Sequence, residues 1–370
     1  MNGAESLIAT ARAAGIDVCF ANPGTSEMPL VTALDAVPGI RPVLGLFEGV
    51  CTGAADGFAR MAGRPAMTVL HLGPGLANGL ANLHNARRAR TPLLNVVGDH
   101  ATWHLGADSP LESDIEGLAA PVSAWVRTSG TATGIAGDCA DAVAAAMAAP
   151  GHVATLIVPA DLQGAPADGP APVLKPRAPA APDPAPIAVA VERLRRGAST
   201  ALYIGGPACT AIPLSQAARV VAASGCRLFV EGFPARMERG AGAPSAERFP
   251  YFPEQVSGIL ARTTCVVVVG ALPPVAFFGW PGARSNMLPD DVDVLCLAGA
   301  EEDVAVALAA VADGLGASVD RRSRAPVAPP PKPSGALDGA TLATAVAATL
   351  PEHAIVVDEG ATSSVFRVVG

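Results

Sequence analysis

Glu48 and His71 are the side chains of this sequence best placed to do chemistry. Glu48 lies in RPVLGLFEGVCTGAADGFARMAG, residues 41–63, where four of the five residues before it are apolar and Gly and Ala dominate the residues after it. That pattern predicts a buried strand over residues 43–47 that turns at once into a helix of small residues. A carboxylate at such a junction has little water around it, so it must be paired or neutral. The plainer role for it is a helix cap. His71 closes a predicted strand at residues 66–71, on the same strand-end face as Glu48. A lone histidine there is more often structural, but an imidazole titrating near ~6.5 in that position can take and return protons.

Three further groups lie at predicted strand ends. Asn22-Pro23-Gly24-Thr25 follows the first strand, and a turn with glycine lets backbone approach a planar ligand closely; as an ordinary turn it needs only Thr25 or Ser26 as a cap. His100 and His104, in GDHATWHLG, have the i, i+4 spacing of two metal ligands on a helix, but no third ligand completes a set. His84, between Leu83 and Asn85, reads as a surface or helix-packing residue. Gly73-Pro-Gly-Leu-Ala-Asn-Gly79 is a predicted glycine loop before a helix, with Asp99 about 20 residues on, which also describes dinucleotide binding. Against that, it is not in the first βα unit, and Pro74 removes an N–H that could meet pyrophosphate.

The elements that must position these residues alternate. Helix 3–14, strand 17–21, a helix from about 26 to 36, the strand and helix around Glu48, strand 66–71, a helix to about 89, strand 93–97, helix 138–149 and strand 153–158 make the first series. Uninterrupted apolar strands between helices predict a parallel sheet buried on both faces, a doubly wound α/β fold. Residues 166–186 form a Pro/Ala-rich connector between a first domain, 1–165, and a central domain, 187–321. The central domain repeats the pattern: helix 187–196, strand 201–204, helix 212–223, strand 227–230, a long loop, strands 265–269 and 292–297, and helix 301–312. A second connector, 322–336, leads to residues 337–370, read as helix 338–349 and strand 354–358. One helix and one strand cannot bury a core, so a third domain is expected to continue past Gly370.

Half the residues are hydrophobic, 16% are charged and 4% are aromatic, which suits a densely packed α/β protein. A net charge of −8, with Lys175 and Lys332 as the lysines, excludes a nucleic-acid binder. No apolar run is long enough to span a membrane and no signal peptide opens the chain, so a cytoplasmic location is expected. Seven cysteines without a C-x-x-C read as buried, reduced thiols.

In this order of parts, ANPGTSEMP (from residue 21), FEGVCTGAADGFARMAG (from 47), LHLGPGLANGLANLHNARRARTPLL (from 70) and VVGDHATWHLGADSPLESDI (from 96) resemble the pyrimidine-binding domain of thiamine diphosphate-dependent enzymes, in particular the acetolactate synthase and benzoylformate decarboxylase family. The resemblance implies a thiamine diphosphate-binding fold, a Rossmann-like central domain and the opening of a diphosphate-binding domain. It implies that Glu48 hydrogen-bonds a ring nitrogen of the aminopyrimidine, favouring the tautomer that removes the thiazolium proton. It gives His71 a proton-transfer role, sets Asn22, Pro23, Gly24 and Thr25 beside thiazolium and substrate, and puts Gly75 and Asn78 beside the aminopyrimidine. His100 and His104 become substrate-side candidates.

The implied activity is decarboxylation or carboligation of a small 2-oxo acid by a homodimer or homotetramer, with contact along the Glu48 helix. No Gly-Asp-Gly run is present, so the magnesium site that accompanies the diphosphate is expected beyond residue 370, with no metal ligand here, and this chain alone is expected to be incomplete for catalysis. The central-domain loop at residues 272–282 has no histidine, which weakens simple decarboxylation; Phe277, Phe278 and Trp280 there could line a pocket, and FAD is possible without a residue that demands it. The alternatives are a Rossmann-type NAD or FAD oxidoreductase using Gly73 to Gly79, and a non-catalytic subunit that keeps only the fold.

Overall fold

The computed structural model describes residues 1–240, 242–279, 281–282, 284–318 and 330–360. They group into two compact units, residues 1–181 with 300–302, and residues 182–299 with the chain from 303 onward.

In the first unit Asn2 starts α1 (Gly3–Ala13) through a capping box: its side chain accepts from Glu5 N at 2.8 Å, and the Glu5 carboxylate accepts from Asn2 N at 3.0 Å. After α1 come β1 (Val18–Asn22), a 3-10 turn (Thr25–Glu27), α2 (Met28–Ala36), β2 (Arg41–Leu44), α3 (Glu48–Ala62), β3 (Ala66–Leu70), α4 (Leu72–Ala89), β4 (Leu93–Asp99), α5 (Ile115–Ala119), β5 (Trp125–Thr128), α6 (Ile135–Met147), β6 (Val153–Pro159) and α7 (Ala160–Gly164). The six strands are parallel in the order β2-β1-β3-β4-β6-β5. Leu7, Ile8, Leu30, Leu34 and Ile135 pack α1, α2 and α6 on one face; Leu76, Leu83 and Ile115 pack α4 and α5, beside α3, on the other. Helices on both faces bury β3 and β6 along their whole length, as their apolar runs predict. Inside the sheet Thr68, Asn95, Thr155 and Ser123 satisfy one another in a hydrogen-bonded row at 2.7, 3.0 and 2.8 Å. Asn22 lies opposite Leu70, and Leu70 opposite Val97, so the carboxyl ends of β1, β3 and β4 share one edge.

Two expectations about this edge change. The strand before Glu48 is not buried and stops earlier: β2 covers Arg41–Leu44 at the sheet margin, and Leu44 is 70% and Leu46 91% exposed in the single chain. Its apolar run reflects an outer face rather than a central strand. The glycine loop at Gly73 to Gly79 is helix, the first turns of α4, because each glycine is a packing position rather than a hinge. The sequence also passes over α5, α7 and β5, which are four or five residues long and too short for a periodic signal.

The second unit holds α8 (Pro184–Leu194), β7 (Thr200–Ile204), α9 (Ala211–Ser224), β8 (Arg227–Val230), β9 (Glu247–Arg248), α10 (Pro253–Leu260), β10 (Cys265–Val269), β11 (Asp293–Ala298), α11 (Val304–Gly314) and α12 (Gly339–Thr349). Its five parallel strands run β11-β10-β7-β8-β9 around a core that includes Leu202, Ile204, Val267, Val269 and Leu308. β9 and α10 occupy the predicted long loop. The strand expected at residues 354–358 does not form: no neighbouring strand among the described residues takes its hydrogen bonds, and Ile355 and Val357 are 92% and 82% exposed. Trp280 and most of the 322–336 connector lie outside the described residues. Cys19, Cys51, Cys139, Cys209, Cys226 and Cys265 are buried free thiols, and Cys296 is exposed.

Candidate active site

Glu48 is the first residue of α3, after Phe47 in extended conformation. It is 9% exposed, and its carboxylate reaches to the neighbouring helix, where Oε2 accepts from Asn78 Nδ2 at 3.0 Å. Oε1 has no hydrogen-bond partner among the described residues. The approach of α3 to α4 that makes this pairing possible is fixed by two cross-links: Thr52 Oγ1 donates to Gly79 O at 3.0 Å, and Asn82 Nδ2 donates to Gly49 O at 2.7 Å. Glycine permits it. A Cβ on Gly79 would stand 2.9 Å from Thr52 Cγ2, and one on Gly75 would stand 3.0 Å from Glu48 Oε1 and 3.3 Å from His71 Cβ. The bare backbone of Gly75 therefore lets Glu48 and His71 both close in on α4.

His71 caps α4 with extended backbone, and its side chain is 25% exposed. Its Nδ1 lies 2.7 Å from Oε2 of Glu27, and the same oxygen accepts from Gly24 N at 2.7 Å. Glu27 is wholly buried at the end of the 3-10 turn, and its Oε1 is buried without a partner. Burial pushes its carboxyl above the ordinary range, opposed by the Gly24 amide and by His71. Gly24 and Gly98 make room for this pair, since a Cβ on Gly24 would stand 2.3 Å from His71 Nδ1 and one on Gly98 would stand 1.8 Å from Glu27 Oε1.

Asn22 Nδ2 donates to Gly45 O at 2.8 Å, tying the turn after β1 to the segment before Glu48, and Thr25 opens the 3-10 turn with an exposed side chain. The structure thus gathers Gly24, Glu27, Glu48, His71, Gly75 and Asn78 at one sheet edge. His100 and His104 form their own group in the loop after β4: their rings are 5.4 Å apart, His100 Nε2 is 3.1 Å from Ser109 Oγ, and Asp99 Oδ1 accepts from His100 N at 2.7 Å. Burial raises the Asp99 carboxyl, and the His100 amide opposes it. Neither histidine bonds Glu48 or His71. Among the described residues no group of three or more His, Cys, Asp or Glu could hold a metal ion. His84 is exposed on α4. In the second unit Phe277 and Phe278 are 61% and 59% exposed, and Phe277 packs on Phe233 and Tyr251.

Sequence reasoning missed Glu27. The one signal available was a carboxylate inside the short turn T-S-E-M-P directly after a strand, which a helix-start role explains equally well.

Residues 1–119 match the family described as thiamine pyrophosphate enzyme, N-terminal TPP binding domain. Over 371 aligned residues, 99% of this chain, the sequence is 50% identical to a Mycobacterium tuberculosis protein named as a candidate acetolactate synthase large subunit, IlvX, and spans 70% of it. It is 32% identical over 195 residues to benzoylformate decarboxylase of Pseudomonas aeruginosa, covering 52% of this chain and 37% of that one. Among solved structures, a candidate thiamin diphosphate-dependent enzyme from Mycobacterium smegmatis superposes with a TM-score of 0.75 at 26% identity, over 89% of this chain and 65% of the other.

Proposed function

Because this chain belongs to the thiamine diphosphate-dependent enzymes, we propose that it acts on small 2-oxo acids, by decarboxylation, carboligation or both. The observation that carries the reading is the Glu48 carboxylate: buried, held through one oxygen by Asn78, with its other oxygen unpartnered among the described residues and beside the bare backbone of Gly75. These residues fit an aminopyrimidine. Glu48 Oε1 is a hydrogen-bonding atom without a partner among the described residues, and Gly75 presents bare backbone beside it. Bound there, thiamine diphosphate supplies the carbon nucleophile that adds to the 2-oxo carbon.

The chain's own residues do the rest. Glu48 holds a ring nitrogen, and Asn78 fixes its orientation. Gly75 admits the ring, and Asn22, Pro23, Gly24 and Thr25 border the reacting carbon. His71 moves a proton at Nε2, the imidazole nitrogen that has no partner among the described residues. His100 and His104 stand on the substrate side. The magnesium ion that accompanies the diphosphate is assigned to no described residue, and FAD has no support.

We further propose a cytoplasmic homodimer or homotetramer, joined along β2 and α3. Leu44, Leu46, Phe47, Val50 and Met61 are 70%, 91%, 48%, 59% and 70% exposed on that segment, an apolar run that a second copy would cover. The dinucleotide reading loses its basis, since the glycines it needs are helical and face Ser113, Glu48 and Thr52.

The test is turnover of a panel of aliphatic and aromatic 2-oxo acids by the gene product with thiamine diphosphate and magnesium. Carbon dioxide release or a 2-hydroxyketone product supports the proposal; absence of both, with no cofactor bound, rejects it.

A further inference from the structure

Every feature around the inner edge of His71 converges on one side chain. Glu27 Oε2 lies 2.7 Å from His71 Nδ1 and 2.7 Å from Gly24 N, and Glu27 has no solvent exposure. Gly24 carries no side chain where one would meet His71 Nδ1, and Gly98 carries none where one would meet Glu27 Oε1. A buried carboxylate is costly unless polar groups meet it, and here an imidazole nitrogen and the Gly24 and Leu72 amides do so. When ionised, a carboxylate only accepts, so its hydrogen bond then fixes a proton on Nδ1. Nε2, without a partner and on a ring 25% exposed, is then left with its lone pair.

We propose that Glu27 is a positioning residue that holds neutral His71 in its Nδ1–H tautomer, so that Nε2 is the atom that takes and returns a proton, while the same carboxylate ties the turn after β1 to that imidazole through Gly24. Its catalytic consequence rests on the proton-transfer role proposed above for His71; the tautomer itself does not. The carboxylate links the two sides of the site: the turn bearing Asn22 and Thr25 cannot shift away from His71 without leaving the Gly24 N–H or the imidazole unpaired.

The experiment is imidazole nitrogen NMR on the full chain, uniformly labelled with nitrogen-15, at alkaline pH where the rings are neutral. There are six histidines, and the His71 signals are assigned as those lost in His71→Ala. The expected spectrum has His71 Nδ1 at the protonated, pyrrole-type position and Nε2 at the unprotonated, pyridine-type position. In Glu27→Leu that preference is lost, because no acceptor then meets Nδ1–H. An Nε2–H form in the wild type overturns the proposal even if the variant fails to fold, and so does an Nδ1–H form that survives in Glu27→Leu.

With a substrate in hand, Glu27→Leu lowers kcat on the order of 100-fold and has no further effect in a His71→Ala background. A further loss in that background would mark Glu27 as merely structural. Unimpaired turnover in His71→Ala would reject the role of His71 in the proposed function, while leaving the tautomer result intact.

Discussion

Gly98→Ala tests the arrangement around Glu27 by steric means. Gly98 lies outside the left-handed backbone region, so alanine brings no backbone strain; its effect comes from one methyl group placed 1.8 Å from Glu27 Oε1 and 2.5 Å from Cδ. The carboxyl would have to withdraw by more than a covalent bond length, and Glu27 is fully enclosed. Overpacking alone costs about 1–3 kcal/mol. Withdrawal also breaks the bonds to Gly24 N and His71 Nδ1, each worth about 1.5–3 kcal/mol when charge-assisted, against a gain of roughly 0.4–1 kcal/mol from a stiffer unfolded chain. A net loss of at least about 3 kcal/mol, or roughly 10 °C in Tm for a unit of this size, is expected in urea and thermal unfolding followed by circular dichroism. Glu27→Ala in the same background removes the collision, so the two substitutions together should fall short of additivity by at least about 1 kcal/mol. Wild-type stability in Gly98→Ala would refute the placement of the Glu27 carboxylate against β4.

Other consequences can be checked with the same material. Asp56 is 6% exposed and accepts from Arg60 Nε at 2.8 Å and Thr91 Oγ1 at 2.6 Å; Asp56→Ala should cost about 3 kcal/mol in urea unfolding, near the low end for a broken buried pair because Arg60 reaches solvent. Burial first, then Arg90 and Arg177, pushes His152 below the ordinary imidazole value. The fold therefore favours its neutral form, contributing stability that is full above pH ~6.5 and lost as pH falls through and below that value. His152→Gln should flatten that part of the stability-pH curve. Leu46→Asp, at the 91%-exposed position beside Glu48, should move the protein towards monomer in analytical ultracentrifugation; an unchanged oligomer would place the contact elsewhere.

The sheet was legible because its central strands are short apolar runs between Ala-rich helices, and β3, β6 and β10 fall where Ala66–Leu70, Val153–Pro159 and Cys265–Val269 read as buried. What a pattern cannot show is which edge a strand occupies: Val43 and Leu44 look like a core strand, yet β2 is outermost. The glycines of α4 misled for a related reason. Glycine signals missing side chains, and only the neighbours Thr52, Glu48 and Ser113 reveal that the absence serves helix packing rather than a loop. Glu48 and His71 could be picked out because each ends an apolar run. Glu27 could not, since its role depends on partners 44 residues away at His71 and still further along at Gly98.

The central claim is that the free oxygen of Glu48 grips the cofactor ring and so makes its reacting carbon nucleophilic. The most direct measurement is the rate at which the proton on that thiazolium carbon exchanges with deuterium in the protein-bound cofactor, followed by quenched-flow proton NMR. Glu48→Gln should slow this exchange at least about 100-fold relative to the wild type. Equal exchange rates in the two proteins would contradict the claim.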